Sequence, residues 1–476
     1  MTQPSLNQLV FLGNFSHSLD VPSYHFQPKA IDEIAQIIDL AKTHDLTIAL
    51  RGAGKSYNDA SLNGGGIILD LSLLTRIQAW DKEKGILRAE PGLTLESLWH
   101  HILPDGWWPP VVSGTMKTTL GGCLGMNIHG KNNFKMGTIG EHILEFTALL
   151  PTGEKLTCSP EENSDLFYAM ISGMGMLGIF TSITMQMKRV YSGLLEVKEW
   201  NVPNLKTQLE ALLNGAPKND YIVGWLDGTA RGKSLGRGQM HAANYLAKGD
   251  DPETEKTMQV GYQSLPDTLF GVIPKSKLHY LLSIGLNNLG VWGVNTAKYI
   301  SGRDKSYRQP HAAFHFLLDY IPDWELSYGR QGLIQYQSFL PKETALDAWT
   351  EMLKISQKRG LPTYLGVTKR HRPDKFLFSH ALDGFSLAFD FKITNGNRGK
   401  LATMVQDFDK IVLEAGGRFY FAKNSETTPE TAHQFLGDKI INKFRKLKNR
   451  CDPDILLSSD LYERIFGEII RNKSVV

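Results

Sequence analysis

Arg51-Gly52-Ala53-Gly54-Lys55-Ser56-Tyr57 stands directly after the apolar run Thr47 to Leu50. The run reads as a strand, and glycines placed just behind a strand let backbone N–H groups approach a phosphate closely. Two known phosphate loops nearly match. A dinucleotide fingerprint needs a third glycine where Tyr57 stands and a helix behind it; Asn58 to Gly66 has no helical period, although Asp70 lies near the distance of a ribose-binding acid. A nucleotide P-loop needs glycine at Ala49, inside the strand. Taken alone, the segment is equally an ordinary tight turn.

Two further glycine-rich segments give it a context. Ser113-Gly-Thr-Met-Lys-Thr-Thr-Leu-Gly-Gly-Cys-Leu-Gly-Met-Asn-Ile-His-Gly130 has too many small residues for a core strand and too many glycines for a stable helix, so an irregular backbone wrapped against a large anion is expected. Ser172-Gly-Met-Gly-Met-Leu-Gly-Ile179 follows a helical stretch and precedes the strand-like run ITMQMK. Three such segments in one domain point to a dinucleotide-sized ligand held by main-chain donors.

Outward from the glycines, Ile31, Ile34, Ile37, Ile38 and Ala41 recur at helical spacing and predict a helix packed on a sheet. Strands are expected at Gly66 to Leu71 and Gly85 to Glu90, a helix at Thr94 to Leu103, and a hairpin about Thr152-Gly153. From Leu194 the pattern becomes strand, helix, strand, then a long polar and glycine-rich connection. It resumes as strand (Gly332 to Leu340), helix (Glu343 to Arg359), two strands (Thr363 to Thr368 and Phe385 to Ile393) and helix (Lys400 to Ala415). Strand-helix-strand units of this kind build a sheet covered by helices on one side.

Composition sets the outer bounds. The 476 residues are 42% apolar and 21% charged, which excludes disorder and coiled coil for the whole chain. A net charge of +3 without a basic block argues against nucleic acid as a partner. Three cysteines with no CxxC spacing predict a reduced chain without structural zinc, so no metal is expected. The first residues lack the pattern of a signal peptide, and a cytoplasmic location is the expectation. Leu278 to Ala297 is free of Asp, Glu, Lys and Arg, but its asparagines, His279 and glycines argue against a membrane span.

R-G-x-G-x-S at Arg51, S-G-T at Ser113, G-G followed by I-H-G-K-N at Ile128, and G-x-G-x-x-G-I ending at Ile179 together resemble the PCMH-type FAD-binding domain of the vanillyl-alcohol oxidase superfamily. Within it, MNIHGKNNFKMGTIGEHI, IQYQSFLP and GGRFYFAKNSE resemble the family of 2'-oxidases of decaprenylphosphoryl-β-D-ribose, flavoproteins that form one half of an epimerase pair. The resemblance runs from about Thr47 to Asp460. It implies an α+β fold: an FAD domain in residues 1–192, a substrate (cap) domain with an antiparallel sheet covered by helices in 193–415, and a tail, 416–476, returning to the FAD domain.

The same resemblance implies the site. FAD would be held by Arg51 to Tyr57, by Gly114, Thr115, Thr119, Gly121, Gly122 and Met126-Asn127-Ile128-His129, by Gly178-Ile179-Phe180, and by Tyr420. Lys55 stands where many relatives carry the histidine that attaches to the flavin, which implies non-covalent FAD. Ala388 stands where some ribose oxidases carry a cysteine. Lys423 matches the family's active-site lysine, able to act as a cation or a proton partner, and His129, Lys131, Gln337 and Tyr57 complete the expected catalytic set.

The reaction implied is oxidation of a secondary hydroxyl on a lipid-linked pentose phosphate by hydride transfer to flavin N5, with a short-chain reductase as partner in cell-envelope polysaccharide biosynthesis. Residues 265–300 would then form a cover that touches the membrane peripherally. The alternative is a soluble aldonolactone or alditol oxidase using oxygen; such enzymes usually carry the flavin-linking histidine and a C-terminal histidine-tryptophan motif, and Lys55 and the ending LYERIFGEIIRNKSVV have neither. A third reading is a flavin-holding protein without turnover.

Overall fold

The computed structural model describes residues 5–467 apart from 267, 270–272 and 303. Strands β1 (Leu9–Gly13), β2 (Asp20–Phe26), β3 (Ile48–Arg51) and β4 (Ile67–Asp70) form a sheet in the order β1-β2-β4-β3, in which β4 runs parallel to both β2 and β3. The amphipathic helix α1 (Ile31–Thr43) buries Ile34, Ile37, Ile38 and Ala41 in one cluster with Ile48, Ile67 and Leu69 of the sheet. A second sheet, wholly antiparallel, joins β5 (Ile77–Asp81), β6 (Ile86–Ala89), β7 (Ile143–Leu149), β8 (Lys155–Cys158) and β9 (Ile179–Gln186) in the order β5-β6-β9-β7-β8. The β7–β8 hairpin turns at Gly153, whose φ of 90° is open to glycine and strained for other residues.

The second glycine-rich segment differs from its expectation: Leu120–Gly125 forms a short helix. Thr119 caps it by accepting from Gly122 N–H. Packing decides here over propensity, because the helix lies against Pro91, where a Cβ on Gly121 would come within 2.9 Å of the proline ring. These glycines permit close approach rather than an irregular path.

The cap is an eight-stranded sheet. Its strands are β10 (Leu194–Val202), β11 (Tyr221–Leu226), β12 (Gly238–Tyr245), β13 (Lys305–Pro310), β14 (Leu333–Pro341), β15 (Leu365–His371), β16 (Gly384–Lys392) and β17 (Arg418–Phe419), ordered β13-β10-β12-β11-β15-β16-β14-β17 with every adjacent pair antiparallel. Each strand-helix-strand unit straddles a third strand, so β10 and β11 are parallel but separated by β12. The helices Leu205–Gly215, Ala345–Lys358 and Arg398–Glu414 cover one face, where Leu212, Trp349 and Phe408 pack with Tyr336, Leu387 and Phe389 in a single core. The period of two along each strand therefore turns Gln335, Gln337, Val367, Lys369, Ala388 and Asp390 to the opposite face.

The chain end crosses back. After the helix Pro429–Cys451, Ile48 N–H donates to Leu456 O at 2.7 Å and Ser458 N–H to Ile48 O at 2.9 Å, placing the tail beside β3. Trp107 and Trp108 are buried packing residues, and His100 and His101 lie on the surface. Among the described residues no helix is long and apolar enough to cross a membrane.

Candidate active site

A cavity of about 340 Å³ opens between the glycine segments and the helix-free face of the cap sheet. Loop Arg51 to Tyr57 follows β3 at its carboxyl end, and the N–H groups of residues 52–56 donate to no protein acceptor among the described residues. Unsatisfied main-chain donors along a cavity wall fit an anionic ligand. Gly52 leaves room for no side chain: a Cβ there would sit 2.1 Å from Thr119 Oγ1, so the first and second glycine segments meet at this point. Gly54, at φ 62°, lies against the Arg51 guanidinium, which donates to Gly13 O at 3.1 Å and Ser61 O at 3.3 Å. The second segment is tied to the cap by Asp319, whose carboxylate accepts from Thr115 Oγ1 and Met116 N–H, each at 2.7 Å.

Arg51 to Tyr57, Gly114, Thr115, Thr119, Gly121, Gly122, Met126, Ile128, His129, Phe180 and Tyr420 all line this cavity, as do Lys131, Gln337, Ala388 and Lys423. Asn127, Gly178 and Ile179 do not. Asn127 is buried with φ 44° and braces the loop, its Oδ1 accepting from Gly140 N–H at 3.0 Å. Gly178 and Ile179 lie under the wall, where a Cβ on Gly178 would press on Leu150 and Met170 at 2.9 Å. Met174 and Gly175 bring the third segment to the cavity instead.

Lys423 holds its ammonium 3.6 Å from the centre of the Tyr57 ring. Burial pushes its pKa down, Asp390 pulls it back up, and Lys369 lowers it further. Asp390 is itself raised by burial, and its Oδ1 accepts from Gln335 Nε2 at 2.6 Å. Gln337 Nε2 donates to His129 Nε2 at 3.2 Å, which leaves the imidazole proton on Nδ1, an atom without a partner. Burial, then Lys369, His371, His380 and Lys423, hold His129 well below the ordinary histidine pKa, so the ring is neutral. His371 and His380 pack on it with ring centroids 4.9 and 5.1 Å away. Among the described residues no group of three or more His, Cys, Asp or Glu side chains is arranged to hold a metal ion.

Gln335, Lys369, His371, His380 and Asp390 are the residues that sequence reasoning missed. An aspartate within Leu387-Ala-Phe-Asp-Phe391, and Lys369 and His371 alternating along β15, were the available signals: charged or polar groups on the inward parity of strands. Lys55 Nζ lies 4.5 Å from the centre of the Phe15 ring at the mouth of the first loop.

Residues 22–159 match the family model for the FAD binding domain. Over 88% of its length the chain is 30% identical to the decaprenylphosphoryl-beta-D-ribose oxidase of Mycolicibacterium smegmatis, covering 89% of that protein. It is 25% identical to the L-gulonolactone oxidase of Mus musculus over 42% of this chain and 44% of that one. To cytokinin dehydrogenase 10 of Oryza sativa it is 30% identical, over 35% of this chain and 32% of that one. The shorter matches extend over less than half of each partner, whereas the bacterial oxidase is matched over nearly nine-tenths of both chains. A glycine-lined cavity rich in free main-chain donors and a relative matched over nearly its whole length lead to one conclusion: this chain belongs to the decaprenylphosphoryl-β-D-ribose oxidase family and is an FAD-binding oxidoreductase of α+β fold that acts on alcohol groups.

Proposed function

We propose that the protein oxidises a secondary ring hydroxyl of a lipid-linked pentose phosphate to the ketone. The observation that carries this reading is the convergence of Lys423, His129, Gln337 and Tyr57 on one cavity whose lining contains no aspartate or glutamate among the described residues. FAD, held by the glycine segments, supplies the hydride acceptor at N5. Lys423, with its pKa lowered by burial, takes the hydroxyl proton in its neutral form and afterwards carries a positive charge that Asp390 balances. His129 stays uncharged and orients the sugar through hydrogen bonds, its own ring fixed by the Gln337 amide. Phe339 and Tyr420, at ring-centroid distances of 5.5 and 5.4 Å from His129, limit the water that can reach it.

FAD binds non-covalently in this reading, since Lys55 supplies no imidazole. The flavin band should move into the supernatant when purified protein is denatured. A short-chain reductase would complete an epimerisation, as a ketone is the form such an enzyme reduces. The helices Leu278–Gly285 and Asn288–Ser301 expose Tyr280, Ile284, Leu289, Trp292, Val294 and Ile300, which supports peripheral contact of residues 265–300 with a membrane, though 267 and 270–272 lie outside the described residues. Deleting that stretch should abolish co-sedimentation with liposomes.

The decisive experiment is anaerobic mixing with polyprenyl-phosphoryl ribose. Bleaching of the flavin band is expected. The partial likeness to L-gulonolactone oxidase favours one competing reading, oxidation of a soluble aldonolactone with oxygen. Bleaching by the lactone and not by the phosphoryl ribose would establish that reading instead.

A further inference from the structure

The part of the cavity that faces the cap collects cations that outnumber the carboxylates near them. Lys131 reaches it from the end of the second glycine segment and donates from Nζ to the carbonyls of Phe314 and His315. Lys369 lines it from β15, and its ammonium has no hydrogen-bond or ion-pair partner among the described residues. Lys298, on the helix Asn288–Ser301, extends over the Trp225 ring with Nζ 4.3 Å from its centre. His241 and His315 line the same region, and His315 Nε2 is buried without a partner.

One carboxylate lies behind this group. Glu199 sits 3.6 Å from His241 Nε2, but it also pairs with Lys305 at 3.0 Å and accepts from Tyr307 OH at 3.3 Å. It is shared with the outer edge of the sheet and acts on Lys298, whose pKa it pulls back up against burial, while no carboxylate offsets Lys131 or Lys369. Burial, with repulsion from Lys369, brings Lys131 down to about 7, and burial brings Lys369 to about 8. Cations that outnumber the carboxylates of a confined space are unfavourable unless a ligand supplies the missing negative charge.

We propose that Lys131, Lys298 and Lys369, with His315, form a subsite for the phosphoryl group of the substrate. This rests on reading the substrate as a phosphorylated sugar and says where its charge goes: an oxyanion there accepts from the lysine ammoniums and from the unpartnered His315 nitrogen. The subsite therefore selects phosphoryl sugars over neutral lactones by charge, whatever group the phosphate carries on its other ester oxygen.

The test uses FAD-loaded protein and measures equilibrium binding of farnesyl phosphate, farnesol and ribose 5-phosphate by calorimetry, beside flavin reduction by polyprenyl-phosphoryl ribose. Farnesyl phosphate should bind far more tightly than farnesol. Its affinity should fall about tenfold or more in Lys369→Gln and in Lys298→Gln, as expected for loss of a charge-assisted contact, and recover in Lys369→Arg. Lys298 is an exposed residue, so Lys298→Gln keeps the test alive if the Lys369 variant fails to fold. Competition by ribose 5-phosphate as strong as that by farnesyl phosphate assigns the phosphoryl group to a free sugar phosphate; weak competition assigns it to a lipid carrier. Farnesol binding as tightly as farnesyl phosphate, or affinities unchanged in folded variants, overturns the subsite. Charge-dependent binding in a protein whose flavin stays oxidised with the phosphoryl ribose would retain the subsite and reject the proposed reaction.

Discussion

Lys423 and Tyr57 are joined twice: the lysine ammonium lies 3.6 Å from the tyrosine ring centre, and Tyr57 N–H donates to the carbonyl of the preceding residue, Ala422, at 3.0 Å. The loop after β17 is thereby fixed to the first glycine segment, and the lysine is placed by backbone as well as by ring contact. Lys423→Met keeps the length of the side chain and removes its basicity. Flavin reduction should slow by about 10²- to 10⁴-fold, the usual contribution of a positioned base, while FAD content stays unchanged. Stopped-flow reduction with substrate checks it, and a variant reduced at the wild-type rate would remove Lys423 from the chemistry.

The pH dependence follows from the neighbours of Lys423. Burial and Lys369 lower its pKa, so the neutral, proton-accepting form is reached near neutrality and reduction should quicken as pH rises through that value. Lys369→Gln removes a repelling charge, which raises the Lys423 pKa and should move the acid limb of the profile to higher pH. An acid limb that stays in place in this variant contradicts the electrostatic coupling.

Gly52 faces Thr119 with no space for a methyl group. Gly52→Ala must push the first glycine segment away from the second, and both supply groups to the cofactor cavity. The purified variant should contain markedly less FAD and melt at lower temperature, with partial recovery of FAD in Gly52→Ala/Thr119→Ala, which removes the clashing hydroxyl at the cost of the helix cap it gives to Gly122 N–H. Full FAD content in Gly52→Ala would mean that the two segments can separate without consequence.

The glycine segments were legible because close main-chain approach leaves a compositional mark, and α1 was legible because its isoleucines have a helical period. Helix Leu120–Gly125 was not, since glycine argues against helix locally and the contact with Pro91 that favours it comes from residues far away in sequence. Strand β12 escaped within the polar connection because most of its residues are buried on both faces, which erases the alternation that marks a half-exposed strand. In the site, Lys423 and His129 sit in ordered motifs, whereas Lys369 and Asp390 join it only through cap-sheet register and His380 through the loop that connects β15 to β16.

His311 is fully buried, stacks on Trp108 at 4.8 Å and bonds through Nε2 to Ser192 O at 3.1 Å; burial pushes its pKa down to about 4. His380 is driven to about 3, by burial first and then by Arg418 and Lys369. Both are neutral when folded and titrate near their ordinary value of about 6.5 when unfolded. Their contribution is therefore complete above about pH 6.5 and is lost as pH falls toward 4 and then 3, at about 1.4 kcal/mol for each pH unit between the folded and unfolded pKa. Urea unfolding at pH 7.5, 6 and 5 should give steadily lower stability, and His311→Gln should flatten that slope. An identical slope in the variant would place the acid sensitivity elsewhere.

Lys448 and Asp452 form an ion pair with neither side chain exposed, at 2.7 Å. The ammonium also donates to Met176 O at 2.8 Å and Leu457 O at 2.6 Å, so it bridges the helix Pro429–Cys451, the third glycine segment and the tail beside β3. The carboxylate accepts in turn from Leu456 N–H and Leu457 N–H, each at 2.8 Å. Lys448→Met leaves a buried charge and two carbonyls unpaired, and breaking a buried pair in this way is worth about 3–5 kcal/mol of stability. Because Met176 adjoins Met174 and Gly175 on the cavity wall, the loss should reach the cofactor: unfolding in urea should shift to lower concentration, and FAD should dissociate before the main transition. The double variant Lys448→Met/Asp452→Leu removes the orphaned carboxylate and should recover part of the stability, yet it still cannot tie the tail to Met176 O, so FAD should remain weakly held. A single variant as stable as wild type with FAD retained would show that the tail is held by apolar packing alone.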